Sequence, residues 1–146
     1  MAVKDLNKRP FIEDRDDEIF VGINYPFHKS LGVDGWFKSS TTTIDAVKNN
    51  IKMLLKTKNG ERIFQPNLGM NFEKYLFEQF NDDIRISIEN EIVEKFSFWL
   101  PFVSITDIQI NMDDNNIEGK NRLNIKLDFN INRDANISES VQVEIV

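Results

Sequence analysis

At Pro101 the spacing of apolar residues changes from the period of a helix to the period of a strand, which leaves few folds open. Before it, Ile84, Ile88, Ile92, Phe96 and Trp99 recur at helical spacing. Proline has no N–H to donate and pushes the residue before it, Leu100, out of helical geometry, so the helix must end there. Beyond it Val103 and Ile105 alternate, then Ile108, Ile110 and Met112 alternate in the opposite phase. That slip, around Thr106-Asp107, predicts a β-bulge. Leu123, Ile125, Leu127, Phe129 and Ile131 alternate strictly with polar residues, and Ile137, Val141, Val143 and Ile145 predict a last strand running to Val146. Turn residues fill 113–119 and 132–136. The expected fold is α+β: helices packed on one face of a small antiparallel sheet, with a C-terminal three-stranded meander.

Upstream, Thr42 followed three residues later by Asp45 resembles a capping box, and Ile44, Val47, Ile51, Leu54 and Leu55 line one helical face. Gly60 stops that helix. A short helical piece is expected over Phe72–Phe80. Asn81 caps the helix before Pro101, with Asp82 and Asp83 at its positive end and Glu91–Lys95 as a favourable i,i+4 pair. Ile19–Phe27 reads as a short extended piece ended by Pro26, and Gly32, Gly35 and Ser39–Thr43 as a loop. Residues 1–18 are polar, with the charge run Glu13–Glu18. They are expected to form a mobile N-terminal arm, leaving residues 19–146 as one domain.

Composition removes several function classes. The net charge is −6, and the basic residues closest to one another, Lys48, Lys52, Lys56 and Lys58, fall in the later part of one helix, where they complement its dipole. No basic face for nucleic acid is expected. No apolar run approaches the roughly 18 residues of a membrane span, and Met1–Asp5 has no signal-peptide character, so neither a membrane nor export is expected. With no Cys and His28 as the single histidine, neither a zinc site nor a Cys–His pair can be assembled. A Ser–His–Asp set from His28, Ser30 and Asp34 has no supporting spacing. Asp114, Asn116, Glu118 and Gly119 match the start of a calcium loop, but its twelfth position, a Glu in that motif, is Ile125 inside a strand, so the segment reads as a hairpin turn. Glu61, Glu73 and Glu78 would be the carboxylates of a glycosidase, yet a chain with 24 acidic residues always offers such pairs. The reading is therefore no catalytic residues, no cofactor and no metal.

One stretch is distinctive: Thr57, then Gly60-Glu61-Arg62, then Pro66 and Gly69, followed by Leu76-Phe77. Taken physically it is a helix stop and a compact turn. Together with Gly22 and the Tyr25-Pro26-Phe27 opening upstream, it resembles the lysozyme-like baseplate wedge proteins of contractile-tailed bacteriophages, which are related to type VI secretion baseplate proteins. The resemblance covers roughly residues 19–146. It implies a structural, non-enzymatic component of the tail baseplate in the virion, assembled in the host cytoplasm. It also implies two partners: other wedge subunits, met as a helical bundle, and the tail sheath protein, whose polymerisation the family initiates by strand exchange.

In the family a Glu-Pro-Arg corner is understood to clamp that bundle. Here the corner is Leu100-Pro101-Phe102, and both charges are gone. Trp99, Leu100, Pro101 and Phe102 are then either an apolar version of the clamp or core at a helix–strand corner. For the sheath, both Leu123–Ile131 and Ile137–Val146 lack the proline that would block an edge, and Val141, Gln142, Val143, Glu144 and Ile145 are expected to face it. Two rivals remain: a peptidoglycan-degrading tail lysozyme, which the family label suggests, and a small scaffold protein unrelated to phage.

Overall fold

The computed structural model describes residue 11 and residues 20–30, 35–113, 122–131 and 134–145. Apart from Phe11, which is buried, the expected arm lies outside them, as do residues 114–119 of the calcium-like turn. In chain order the elements are β1 (Gly22–Ile23), β2 (Ser39–Ser40), α1 (Thr43–Lys56), α2 (Glu73–Leu76), α3 (Asp82–Trp99), β3 (Val103–Asp113), β4 (Arg122–Ile131) and β5 (Asp134–Ile145). The chain divides into two compact units, Met1–Met53 and Leu54–Val146.

In the first unit β1 and β2 pair antiparallel, Gly22 with Ser40 and Ile23 with Ser39. β2 falls where the sequence predicted loop. The strand is held by backbone bonds that propensity does not announce: Val21 N–H donates to the Ser40 carbonyl (2.9 Å) and Asn24 N–H to that of Lys38 (2.9 Å). A buried polar cluster fixes the pair to α1. The Asn49 amide donates to the side chains of Asn24 (3.2 Å) and Ser40 (3.0 Å), so polar groups taken out of water keep their partners. Gly22 sits where a Cβ would come within 3.0 Å of the Ala46 Cβ, which accounts for a glycine at the approach of strand to helix. Thr42 starts α1 as expected, its hydroxyl accepting from Asp45 N–H (3.2 Å).

In the second unit Asn81 caps α3 through Ile84 N–H (2.9 Å), and Leu100 N–H closes the other end on the Phe96 carbonyl (2.8 Å). Ile88, Ile92 and Phe96 are buried, as the stripe predicts. The expected short helix over Phe72–Phe80 is confined to α2. The C-terminal sheet runs β3-β4-β5, all antiparallel. The register breaks between Ile105 and Asp107, where the phase slip placed a bulge. β4 is the centre: Leu123, Ile125, Leu127 and Phe129 are fully buried, while its alternate residues face partly outward. Leu123–Ile131 is therefore not an open edge, because β3 and β5 occupy both of its sides. The last strand starts earlier than expected, at Asp134, and a second irregularity leaves residues 135–137 without partners on β4.

Candidate partner-binding site

Three surfaces of the second unit carry the residues that the sequence marks for partner binding or for the family resemblance. The first is the outer edge of β5. From Ser138 to Ile145 it pairs in unbroken register with Asn130 to Leu123. Val141 and Val143 are buried on the core face, whereas Gln142 and Glu144 are exposed. In an antiparallel pair successive residues aim their N–H and C=O alternately at the partner and away from it, so every second residue of this stretch directs both groups outward. Arg122 and Glu144 form an ion pair (2.9 Å) on the exposed face.

The second surface is the corner between α3 and β3. Leu100 is buried, Trp99 half-buried, and Pro101 and Phe102 exposed; Val103 N–H returns to the Leu100 carbonyl (2.9 Å). The four expected residues thus divide, with Leu100 in the core and the rest at the surface. Phe98, which the sequence reading passed over, is 73 % exposed and stacks edge-on against Trp99 with centroids 5.0 Å apart. Its signal was its position: it falls off the Ile88–Ile92–Phe96 stripe on a helix whose core face was already filled.

The third is the turn over 57–70. Met70 N–H donates to the Thr57 carbonyl and Asn59 N–H to the Met70 carbonyl, both at 2.9 Å, closing the neck. Gly60 N–H reaches the Pro66 carbonyl (2.8 Å), and a carboxylate oxygen of Glu61 accepts from Lys58 N–H (3.1 Å). Glu61 is thus an internal brace. At Gly69 the backbone is left-handed (φ +102°), and a Cβ would lie 2.3 Å from the Thr57 carbonyl oxygen, so no other residue fits without moving the neck. Helix α3 holds the turn from outside: the Lys95 ammonium donates to the Asn67 carbonyl (2.7 Å), and Glu91 accepts from Asn71 N–H (2.7 Å) and the Tyr75 hydroxyl (3.2 Å) and pairs with Lys74 (3.1 Å). The expected Glu91–Lys95 pair does not form. The carboxylate is taken by Asn71 N–H, the Tyr75 hydroxyl and the Lys74 ammonium, and the Lys95 ammonium by the Asn67 carbonyl.

Hydrogen bonding to Tyr75 and then Glu91 holds the Lys74 ammonium above its ordinary pKa, and Glu73 does the same for Lys58. The three carboxylates considered for glycosidase chemistry show no shared task. Glu61 braces the turn, Glu73 pairs with Lys58, and Glu78 is exposed. Among the described residues no group of acidic, histidine or cysteine side chains could hold a metal, and no helix is long and apolar enough to cross a membrane.

The model of one family, described as baseplate wedge protein gp25, matches residues 41–136. The chain belongs to this baseplate wedge family. The match takes in α1, the 57–70 turn, α3 and its corner, and ends inside β5, so the regular stretch of that strand lies beyond it. Two solved structures share the fold. One is a candidate tail lysozyme from Geobacter sulfurreducens, 23 % identical with a TM-score of 0.57, the alignment covering 71 % of this chain and 90 % of that one. The other is a chain of the anti-feeding prophage baseplate, 24 % identical with a TM-score of 0.62, covering 79 % of this chain and 85 % of that one. No curated protein matches the sequence. Membership of the baseplate wedge family supports a structural place in a tail baseplate for this chain.

Proposed function

We propose that this protein is a structural component of a contractile-tail baseplate wedge, that it binds neighbouring wedge subunits, and that the tail sheath begins to polymerise on it by strand exchange. The observation that carries the sheath step is the outer edge of β5: eight residues, Ser138–Ile145, in continuous register, with no proline and with exposed side chains between buried ones. Such an edge accepts an extended segment by main-chain hydrogen bonds. About five such bonds, at roughly 1 kcal/mol net each, are largely offset by ordering a free arm. A single exchange is therefore marginal, and a ring of them is secure through multivalency.

The wedge contact falls to the corner, where the stacked Phe98–Trp99 pair and the exposed Phe102 present large apolar side chains on either side of Pro101 in sequence. Exposed aromatic side chains of this kind act as binding anchors. Assembly takes place in the host cytoplasm and the finished protein resides in the virion tail. The test is co-purification of wedge partners with the variant Pro101→Ala/Phe102→Asp, alongside its thermal melt. Recovery of partners should fall at least about tenfold, the loss expected of a truncated anchor, while the melting midpoint moves far less. Equal losses in binding and stability would make the corner plain core. The purified protein should not clear bacterial cell walls, and clearing abolished by replacing Glu61, Glu73 or Glu78 would revive the lysozyme reading.

A further inference from the structure

The tip of the 57–70 turn contradicts the usual chemistry of turns. Gln65 N–H donates to the Arg62 carbonyl (3.2 Å), so Ile63 and Phe64 are the two corner residues. Corners favour Gly, Pro, Asn and Asp, and a β-branched residue beside an aromatic gains nothing there from local geometry. Nor do they gain from burial, since Ile63 is 90 % and Phe64 94 % exposed. A single exposed apolar side chain is ordinary, but two adjacent ones on a protruding corner are not.

The turn beneath them is rigid by construction, pinned at Gly60–Pro66, at the Thr57–Met70 neck and by Lys95 on Asn67. Its other charges are committed: Lys58 pairs with Glu73, and Glu61 holds Lys58 N–H. Arg62 is the one charged side chain of 57–70 with no hydrogen bond or ion pair among the described residues. Three consecutive side chains, one cationic and two apolar, are thus held out on a stiff support. A support of this kind lowers the ordering cost of binding.

We propose that Arg62-Ile63-Phe64 is a docking prong, with Ile63 and Phe64 seated in an apolar groove of a different baseplate chain and Arg62 paired with a carboxylate at the rim of that groove. The proposal rests on the baseplate reading above and names a contact separate from the corner. Two other occupants fit less well. A membrane would meet one cation and two apolar side chains on a chain of net charge −6, too little for surface attraction. A second copy offers the cleft of about 630 Å³ between α3 and β3, but Glu89, Asn90, Ser97, Ser104, Thr106 and Asp107 line much of it. Seating two apolar side chains there would strip water from polar groups without replacing it.

The test uses the assembled particle. In the first arm a photo-crosslinking phenylalanine analogue replaces Phe64, and the adduct is identified by mass spectrometry. The expected adduct is on another baseplate chain, at apolar residues next to an Asp or Glu; an adduct on a second copy of this chain, on lipid, or none at all overturns the proposal. In the second arm Phe64→Ser and Arg62→Glu compete with the unaltered protein for incorporation. Each should be under-represented at least about tenfold, Arg62→Lys much less so, with melting midpoints within about 2 °C. Incorporation at the unaltered level, or a loss that tracks a lowered melting midpoint, overturns it. If the unaltered protein is itself missing from particles, the baseplate reading fails instead.

Discussion

β3 and β5 flank the same central strand, yet they offer different edges. β3 loses register between Ile105 and Asp107, places Asp107 directly opposite Asp128, and has α3 and the α3–β3 cleft beside its first half. A bulge and a covering helix are means by which sheets discourage further pairing at an edge. β5 confines its irregularity to residues 135–137 and then runs in register to Ile145. Both strands alternate apolar and polar residues and differ in pattern only by the phase reversal at Thr106-Asp107, so alternation alone does not distinguish the two edges. Local backbone regularity and what lies alongside do.

That contrast can be broken first at its shared centre. Phe129 is fully buried on β4, between both edges, and Phe129→Ala should cost about 3–5 kcal/mol, read by denaturant unfolding. Both edges should be lost with it. A cost below about 1 kcal/mol would mean that β4 does not anchor the sheet. At the other extreme, the Arg122–Glu144 pair joins β4 to β5 on the exposed face, and Glu144→Gln should change stability by less than about 1 kcal/mol and leave sheath assembly normal. A large assembly defect in that variant would show that recognition runs through charge rather than backbone.

The sheet and α3 were legible because their signals are local and redundant. Pro101 fixed the boundary, the alternation of Leu123 to Ile131 fixed the strand, and the reversal of phase at Thr106-Asp107 announced the bulge. β2 was not legible, since Ser39-Ser40 becomes a strand only through pairing with Gly22-Ile23 and the Asn24–Ser40–Asn49 cluster, which are contacts distant in sequence. The order β3-β4-β5 is that of the expected meander, read from the turn residues that join consecutive strands, although alternation by itself says only which face is buried. Of the functional surfaces, the 57–70 turn stood out by its residues, but the roles of Glu91 and Lys95 as its outer braces needed coordinates. Phe98 and the Ile63-Phe64 tip had a signal in retrospect: large apolar residues at positions where neither a core stripe nor a turn calls for them.

The central claim is that the sheath starts on the backbone of the β5 edge, and a proline scan tests it most directly. Prolines placed one at a time at Val141, Gln142, Val143 and Glu144 sample both sets of N–H groups, those turned toward β4 and those turned outward. Prolines of the inward set should unfold the sheet and serve as the reference; those of the outward set should keep a near-native melt. For the folded outward variants, negative-stain microscopy of particles should show tubes and complete baseplates with no extended sheath. Equivalent prolines on the outer side of β3 that fold should leave sheaths intact. Full-length sheaths on every folded β5 variant would contradict the account and place nucleation elsewhere on the molecule.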